Sequence, residues 1–154
     1  MIAFPSPLFA KGGASGPPPP PPNYGPELVT NGTFDTNTSA WGSSGTIAAV
    51  AGKLRVSSTG SSNGAKQTIF GLEIGASYRF TAAMFPSETD RARIGLSYGS
   101  SQVFYFAVVG SAVDFTFVAP GTGIDIVVEA ASATNWASNG QYADFDDISL
   151  KKIV

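Results

Sequence analysis

The chain predicts an all-β fold, two antiparallel sheets packed face to face, and three observations carry that prediction. Eleven Phe, five Tyr and 18 Gly against only 13 % charged residues is a mixture suited to short strands and tight turns. Apolar residues alternate with polar ones over short runs and show no helical period. Clusters of Gly, Ser and Pro separate those runs and supply turn chemistry. A two-sheet sandwich over residues 27–154 follows, behind an extended proline-rich arm of residues 1–26.

The arm holds nine of the eleven prolines, including the unbroken run Pro17 to Pro22. Six consecutive prolines form a polyproline II rod of about 19 Å. Lys11-Gly-Gly-Ala-Ser-Gly16 before it is a flexible joint. Phe4, Leu8 and Phe9 place apolar groups on a segment without a core of its own. Two expectations stand side by side. The arm is a disordered tail, or it is an anchor: Phe4, Leu8 and Phe9 dock on a partner while Pro17 to Pro22 hold the body away.

In the body, Lys53 to Ser58 puts Leu54 and Val56 on one face and Lys53 and Arg55 on the other. Residues 65–80 read as a strand, a tight turn closed by Leu72 and Gly75, and a second strand opening on Tyr78. That second strand runs to Phe85 with Tyr78, Phe80, Ala82 and Met84 inward. Arg91 to Tyr98 places Ala92, Ile94, Leu96 and Tyr98 inward. Gln102 to Val109 is apolar on both faces, which fits a central strand or one whose second face meets a ligand or partner. Asp114 to Val118 alternates about Phe115 and Phe117, and Ile124 to Glu129 about Ile124, Ile126 and Val128. In the last strand Asp144 and Asp146 share parity with Ile148 and Leu150. That predicts two carboxylates on the core side, which must be paired, solvated at the sheet end or bound to a cation.

Composition also excludes. The net charge is −2 and the nine Lys and Arg are dispersed, so the clustered cations that nucleic-acid binding needs are missing. With no His and no Cys, the common zinc sites and every His-assisted nucleophile are ruled out. No run of about 18 apolar residues reads as a membrane span. Residues 1–10 lack a positive n-region and carry Pro5 and Pro7, so they do not read as a secretory signal.

Three motifs occur in order: Asn31-Gly-Thr-Phe-Asp35 followed by Trp41, Leu72-x-x-Gly75-x-x-Tyr78, and Asp146-Asp-Ile-Ser-Leu150. Together they resemble the jelly-roll carbohydrate-binding modules of polysaccharide-degrading enzymes, a galactose-binding-like β-sandwich. The resemblance implies a structural calcium where the opening loop meets the last strand. Asp35 and Asp147 match that pattern, with Asp146 as a further candidate, although Asp35 stands where the family has the longer Glu. Hydrogen-bonded or salt-bridged carboxylates are the alternative. It also implies that Trp41 plugs the sandwich end.

Aromatic rings stack on sugar faces, which makes Trp136, in the polar loop 133–140, the first glycan-binding candidate, followed by Tyr98 and Tyr105. Packing of Trp136 on a loop or a neighbouring subunit is the alternative. Glu88 with Asp90, and Asp144 with Asp146, are carboxylate pairs of the kind glycoside hydrolysis uses. Both are ordinary for a polar loop and a strand end, and the expectation is no enzyme.

The arm running straight into the jelly roll resembles, as an architecture, small virion proteins of tailed bacteriophages. That resemblance implies a structural or decoration protein on the surface of a phage-like particle assembled in the host cytoplasm. Its arm would bind other virion proteins, the body would form a homo-oligomer, and a weak affinity for host polysaccharide would be secondary. The alternative is a carbohydrate-binding module of a secreted polysaccharide-acting system.

Overall fold

A computed structural model describes residues 20–60, 64–89, 91–99, 101–107, 111–131 and 135–154, with residues 101–107 described in their backbone. Phe4, Leu8, Phe9 and Pro17 of the arm lie outside the described residues, and Pro22 is exposed. Eleven strands make up the described fold: β1 (Tyr24–Glu27), β2 (Gly42–Ser43), β3 (Thr46–Val50), β4 (Lys53–Ser57), β5 (Gly64–Phe70), β6 (Ser77–Pro86), β7 (Ala92–Tyr98), β8 (Ser101–Ala107), β9 (Ser111–Val118), β10 (Gly123–Glu129) and β11 (Tyr142–Ile153). One sheet runs β3-β4-β11-β6-β9, with β1 also on β11, and the other runs β2-β5-β10-β7-β8. All pairings are antiparallel. The chain crosses repeatedly from one sheet to the other, which makes a jelly-roll sandwich.

The alternation read from sequence sets which side of each strand is buried. Leu54 and Val56 of β4, Tyr78, Phe80, Ala82 and Met84 of β6, and Ile124, Ile126 and Val128 of β10 all enter one core. Phe34 and Trp41 close its edge with ring centroids 5.5 Å apart. The indole Nε1 donates to the carbonyls of Thr30 and Asn31, both at 3.3 Å, so the buried N–H is satisfied. The turn before β6 forms as its residues require. Gly75 takes φ 81°, and the Tyr78 hydroxyl accepts the Glu73 N–H at 2.9 Å.

The structure corrects three expectations. The body begins earlier than residue 27: Tyr24, Gly25 and Pro26 belong to β1, which pairs along the end of β11. The run after Gln102 is not central, because β8 pairs with β7 and ends its sheet among the described strands; Val108 and Val109 lie outside them.

The third correction concerns the aspartates. On β11 the register steps from Asp146 opposite Ala83 to Ser149 opposite Thr81, a bulge of one residue. Asp147 sits in it at φ 50°, a left-handed conformation that Asp tolerates better than most residues. The bulge resets the side-chain parity. Ala143 and Phe145 face the core before it, and Ile148 and Leu150 after it. Asp144 and Asp146 therefore fall on the outer side of the sheet.

Candidate functional site

The outer face of the five-stranded sheet collects the side chains that strand parity sends away from the core. From β5 come Lys66, Thr68 and Phe70, and β10 supplies Asp125, Val127 and Glu129. Arg93 and Ser97 come from β7. The pairing fixes their rows: Asp125 stands between Thr68 and Ser97, and Glu129 between Gly64 and Arg93. Arg93 and Ser97, four residues apart on one strand, mark a face about 13 Å long.

Small residues leave space on this face. One depression of ≈ 380 Å³ lies over Gly42, Ser43, Gly64, Lys66, Val127 and Glu129. A second, ≈ 300 Å³, lies over Thr68, Phe70, Ser97, Tyr98, Gly123 and Asp125. At Gly64 a Cβ would come within 2.8 Å of the Val128 carbonyl oxygen, so glycine is what the close strand approach requires.

Aromatic residues flank the face at both ends. Phe70 is 77 % exposed and Tyr98 44 % exposed. Tyr98 was expected inward, but it lies at the end of β7, where its ring rests on Gly121 so closely that a side chain there would have to push the ring aside. At the opposite end Trp136 is half-buried, bridges by backbone to Ala131, and takes the Arg93 guanidinium 5.4 Å from its ring centre. Tyr105 pairs by backbone with Ile94; its side chain lies outside the described atoms. Thus the fold brings Trp136 and Tyr98 to two ends of one face.

The charges on this face are held in place. Asp125 accepts from the Thr68 hydroxyl at 2.6 Å and from Lys66 Nζ at 3.1 Å. Glu129 pairs with Arg93. The polar groups are thereby fixed in position, and the carboxylates keep lone pairs that hydroxyl donors could use.

Sequence reasoning missed Phe70. The signal was available: Ala65, Gln67 and Ile69 share one parity, so Phe70 must point the other way. It also missed that Gln67 is buried, with its amide accepting from Thr30 N at 2.8 Å and donating to Thr30 O at 2.8 Å.

The candidate calcium ligands meet where the opening loop crosses β11. The Asp146 carboxyl is pushed above the ordinary 3.8 by burial, and further by the negative charges of Asp147 and Asp35, against the Asp147 N–H bond and the charge of Lys53. Asp35 accepts the Thr33 hydroxyl at 2.7 Å, and Asp146 accepts the Asp147 N–H at 2.8 Å. Among the described residues, no three His, Cys, Asp or Glu groups are arranged to hold a metal ion.

The other carboxylates singled out from sequence have partners. Asp144 is 8 % exposed and is clasped by Arg55 through two bonds of 2.8 Å. Glu88 accepts from Ser138 N at 2.8 Å and pairs with Arg91. Asp90 lies outside the described residues.

No protein-family model and no curated protein matches the chain. Solved structures do. The enzymatically active domain of bacteriophage CBA120 tailspike protein 4 superposes with a TM-score of 0.63 at 15 % identity over 82 % of this chain. This chain spans only 21 % of that one. A CBM4 structure gives a TM-score of 0.55 at 17 % identity, covering 80 % of this chain and 99 % of its own. The CBM22-1–GH10 modules of Clostridium thermocellum endo-1,4-β-D-xylanase 10B, complexed with xylohexaose, give 0.60 at 19 % identity, covering 83 % of this chain and 28 % of theirs. These likenesses show the fold: the chain is a jelly-roll β-sandwich like those of carbohydrate-binding modules.

Proposed function

We propose that this chain is a non-catalytic polysaccharide-binding module whose recognition surface is the outer face of the five-stranded sheet. One observation carries the reading: that face holds two open depressions between Phe70 and Tyr98 at one end and Trp136 at the other. Sugar rings present flat apolar patches to aromatic side chains and hydroxyls to fixed polar groups such as Asp125, Thr68 and Ser97. The fold shared with a CBM4 module and with xylanase modules bound to xylohexaose supports it.

The test is affinity electrophoresis and calorimetry of the full chain against xylan, soluble cellulose derivatives and β-1,4-galactan. Retardation by at least one polysaccharide is expected. Phe70→Ala or Tyr98→Ala should weaken it about tenfold or more, the loss expected when burial of one aromatic side chain, ~1.5–3 kcal/mol, is removed. Equal mobility with and without every polysaccharide would refute the reading.

A second reading adds where the module works: as a structural or decoration protein on a phage-like particle, tethered through its N-terminal arm. The tailspike likeness at a TM-score of 0.63 favours it, as does the polyproline run ahead of the body. Removal of residues 1–22 spares Asn23, whose carbonyl accepts the Val154 N–H at 3.0 Å. That truncated protein should fold and be missing from purified particles; full occupancy would sink the tether.

A further inference from the structure

A third depression, ≈ 240 Å³, opens on the outer face of the six-stranded sheet over Tyr24, Arg79, Thr81, Ser149 and Lys151. Register builds it. Ser149 of β11 stands opposite Thr81 of β6, Lys151 opposite Arg79, and Tyr24 of β1 opposite Ile153. Hydrogen-bond donors line it in excess. The Thr81 hydroxyl has no partner among the described residues. Lys151 Nζ lies 3.7 Å from Glu27 Oε2, too far for a hydrogen bond, so its N–H groups stay open. Arg79 directs Nε and Nη2 to Asp114, at 2.8 and 2.5 Å, and Nη1 to the Tyr24 oxygen at 2.9 Å. That last bond uses a lone pair of the phenol and leaves its O–H to donate. The carboxylates that balance the two cations do not line the depression. Asp114 is held by Arg79, and Glu27 accepts from the Ser149 hydroxyl and from the N–H groups of Leu28, Val29 and Leu150.

We propose that this depression is an acidic-sugar site, which takes one uronic acid unit with its carboxylate on Lys151, Thr81 and Tyr24. An ionised carboxylate only accepts, so it matches a wall with surplus donors. A sugar hydroxyl brings a donor with every acceptor and matches that wall less well. The space is larger than a bare anion needs and smaller than the roughly 300–1,000 Å³ of a drug-sized site, which suits a single ring. Tyr24, 36 % exposed, offers that ring an apolar wall, and the oxygens of Ser149 and Thr81 accept from its hydroxyls. Glu27 and Asp114 offset the two cations, which sets the affinity in the millimolar range. None of the five residues lines a depression of the opposite sheet, so the site stands without the polysaccharide reading of that face.

Amide chemical shifts of the isotope-labelled full chain, followed by NMR at constant ionic strength, test it with sodium glucuronate, glucose and sodium sulfate as probes. Glucuronate should move the amides of Arg79, Thr81, Ser149 and Lys151 along a saturating curve, and glucose and sulfate should move them far less. Lys151→Ala should weaken glucuronate about fivefold, the worth of one exposed charge pair. Thr81→Val, which changes no charge and keeps the side-chain shape, should weaken it about twofold or more. Phe70→Ala should leave glucuronate binding unchanged, and Lys151→Ala should leave retardation by neutral polysaccharides unchanged, so each site holds or fails by itself. No saturating shift with glucuronate overturns the proposal. Equal shifts from glucose overturn it too, since the carboxylate is then not read. Equal shifts from sulfate reduce the site to an anion site without sugar recognition, and full affinity in either variant removes its assigned residues; both overturn it.

Discussion

The two sheets present outer faces made from the same chemistry and filled to different degrees. On the six-stranded sheet three cations lie against rings, and two of them also hold a carboxylate. Arg55 is clasped by Asp144 and lies 3.6 Å over the Tyr142 ring centre. Arg79 holds Asp114 and the Tyr24 hydroxyl, 5.4 Å from that ring's centre, and Lys53 sits 5.2 Å from the centre of Phe85. The five-stranded sheet has ion pairs too, Lys66 with Asp125 and Arg93 with Glu129. One depression of ≈ 240 Å³ still opens on the six-stranded sheet, over Tyr24, Arg79 and Lys151; on the five-stranded sheet Gly42, Gly64 and Gly123 stand where bulk would be, and two larger ones open over them. Ion pairs alone do not make a binding face; missing side-chain volume beside fixed polar groups does.

The comparison breaks most severely at what both faces rest on. Trp41→Ala should cost about 3–5 kcal/mol by emptying a packed edge of the core, read as a drop in urea midpoint, and polysaccharide retardation should fall with it. Arg55→Ala comes next on the filled face. It leaves the nearly buried Asp144 without its clasp, at about 1–3 kcal/mol once solvent near Arg55 is allowed for. Lys66→Ala, its counterpart on the open face, breaks a pair whose side chains are 54 % and 29 % exposed and should cost ~0–1 kcal/mol. Equal losses for Arg55 and Lys66 would erase the distinction between the faces.

Asp147→Gly should raise stability by about 0.5–1 kcal/mol, because glycine holds a positive φ without strain; a loss in thermal midpoint would contradict the bulge.

The smallest effect is a slope with pH. Burial pushes the Glu27 carboxyl up, but bonds from Ser149, Leu150 and Val29 and the charge of Lys151 outweigh it and hold the group below its ordinary 4.5. A folded value below the unfolded one stabilises the protein above pH 4.5, and that contribution fades as pH falls through the lower folded value. Glu27→Gln should therefore flatten the midpoint's decline below pH 4.5; an unchanged slope would count against it.

Much of the fold was legible because it is written locally. The strands β4, β6 and β10 alternate cleanly, and Gly75 with Tyr78 announces a turn whose geometry needs both. What stayed hidden depends on neighbours. A run apolar on both faces says nothing about how many strands flank it, so a central β8 and a β8 with a covered second face read alike, and the strand ends its sheet among the described strands. Parity counted back from Ile148 failed at Asp144, because one residue in the left-handed region resets the count and an Asp-Asp doublet gives only a faint sign of it. For the face, Trp136 and Tyr98 were visible as aromatics in polar settings. Phe70 was hidden by its own apolarity, and the depressions by the fact that spaces between strands distant in sequence leave no motif.

β11 is the hub of its sheet. One side pairs with β6, and the other is shared end to end by β4 along Tyr142 to Phe145 and by β1 near Ile153. During synthesis, then, β1 must wait for β11 to leave the ribosome before it has this ladder to join. Until that moment β4 and β6 stand as unzipped margins, and a nascent chain halted at residue 141 would offer them to whatever strand came past.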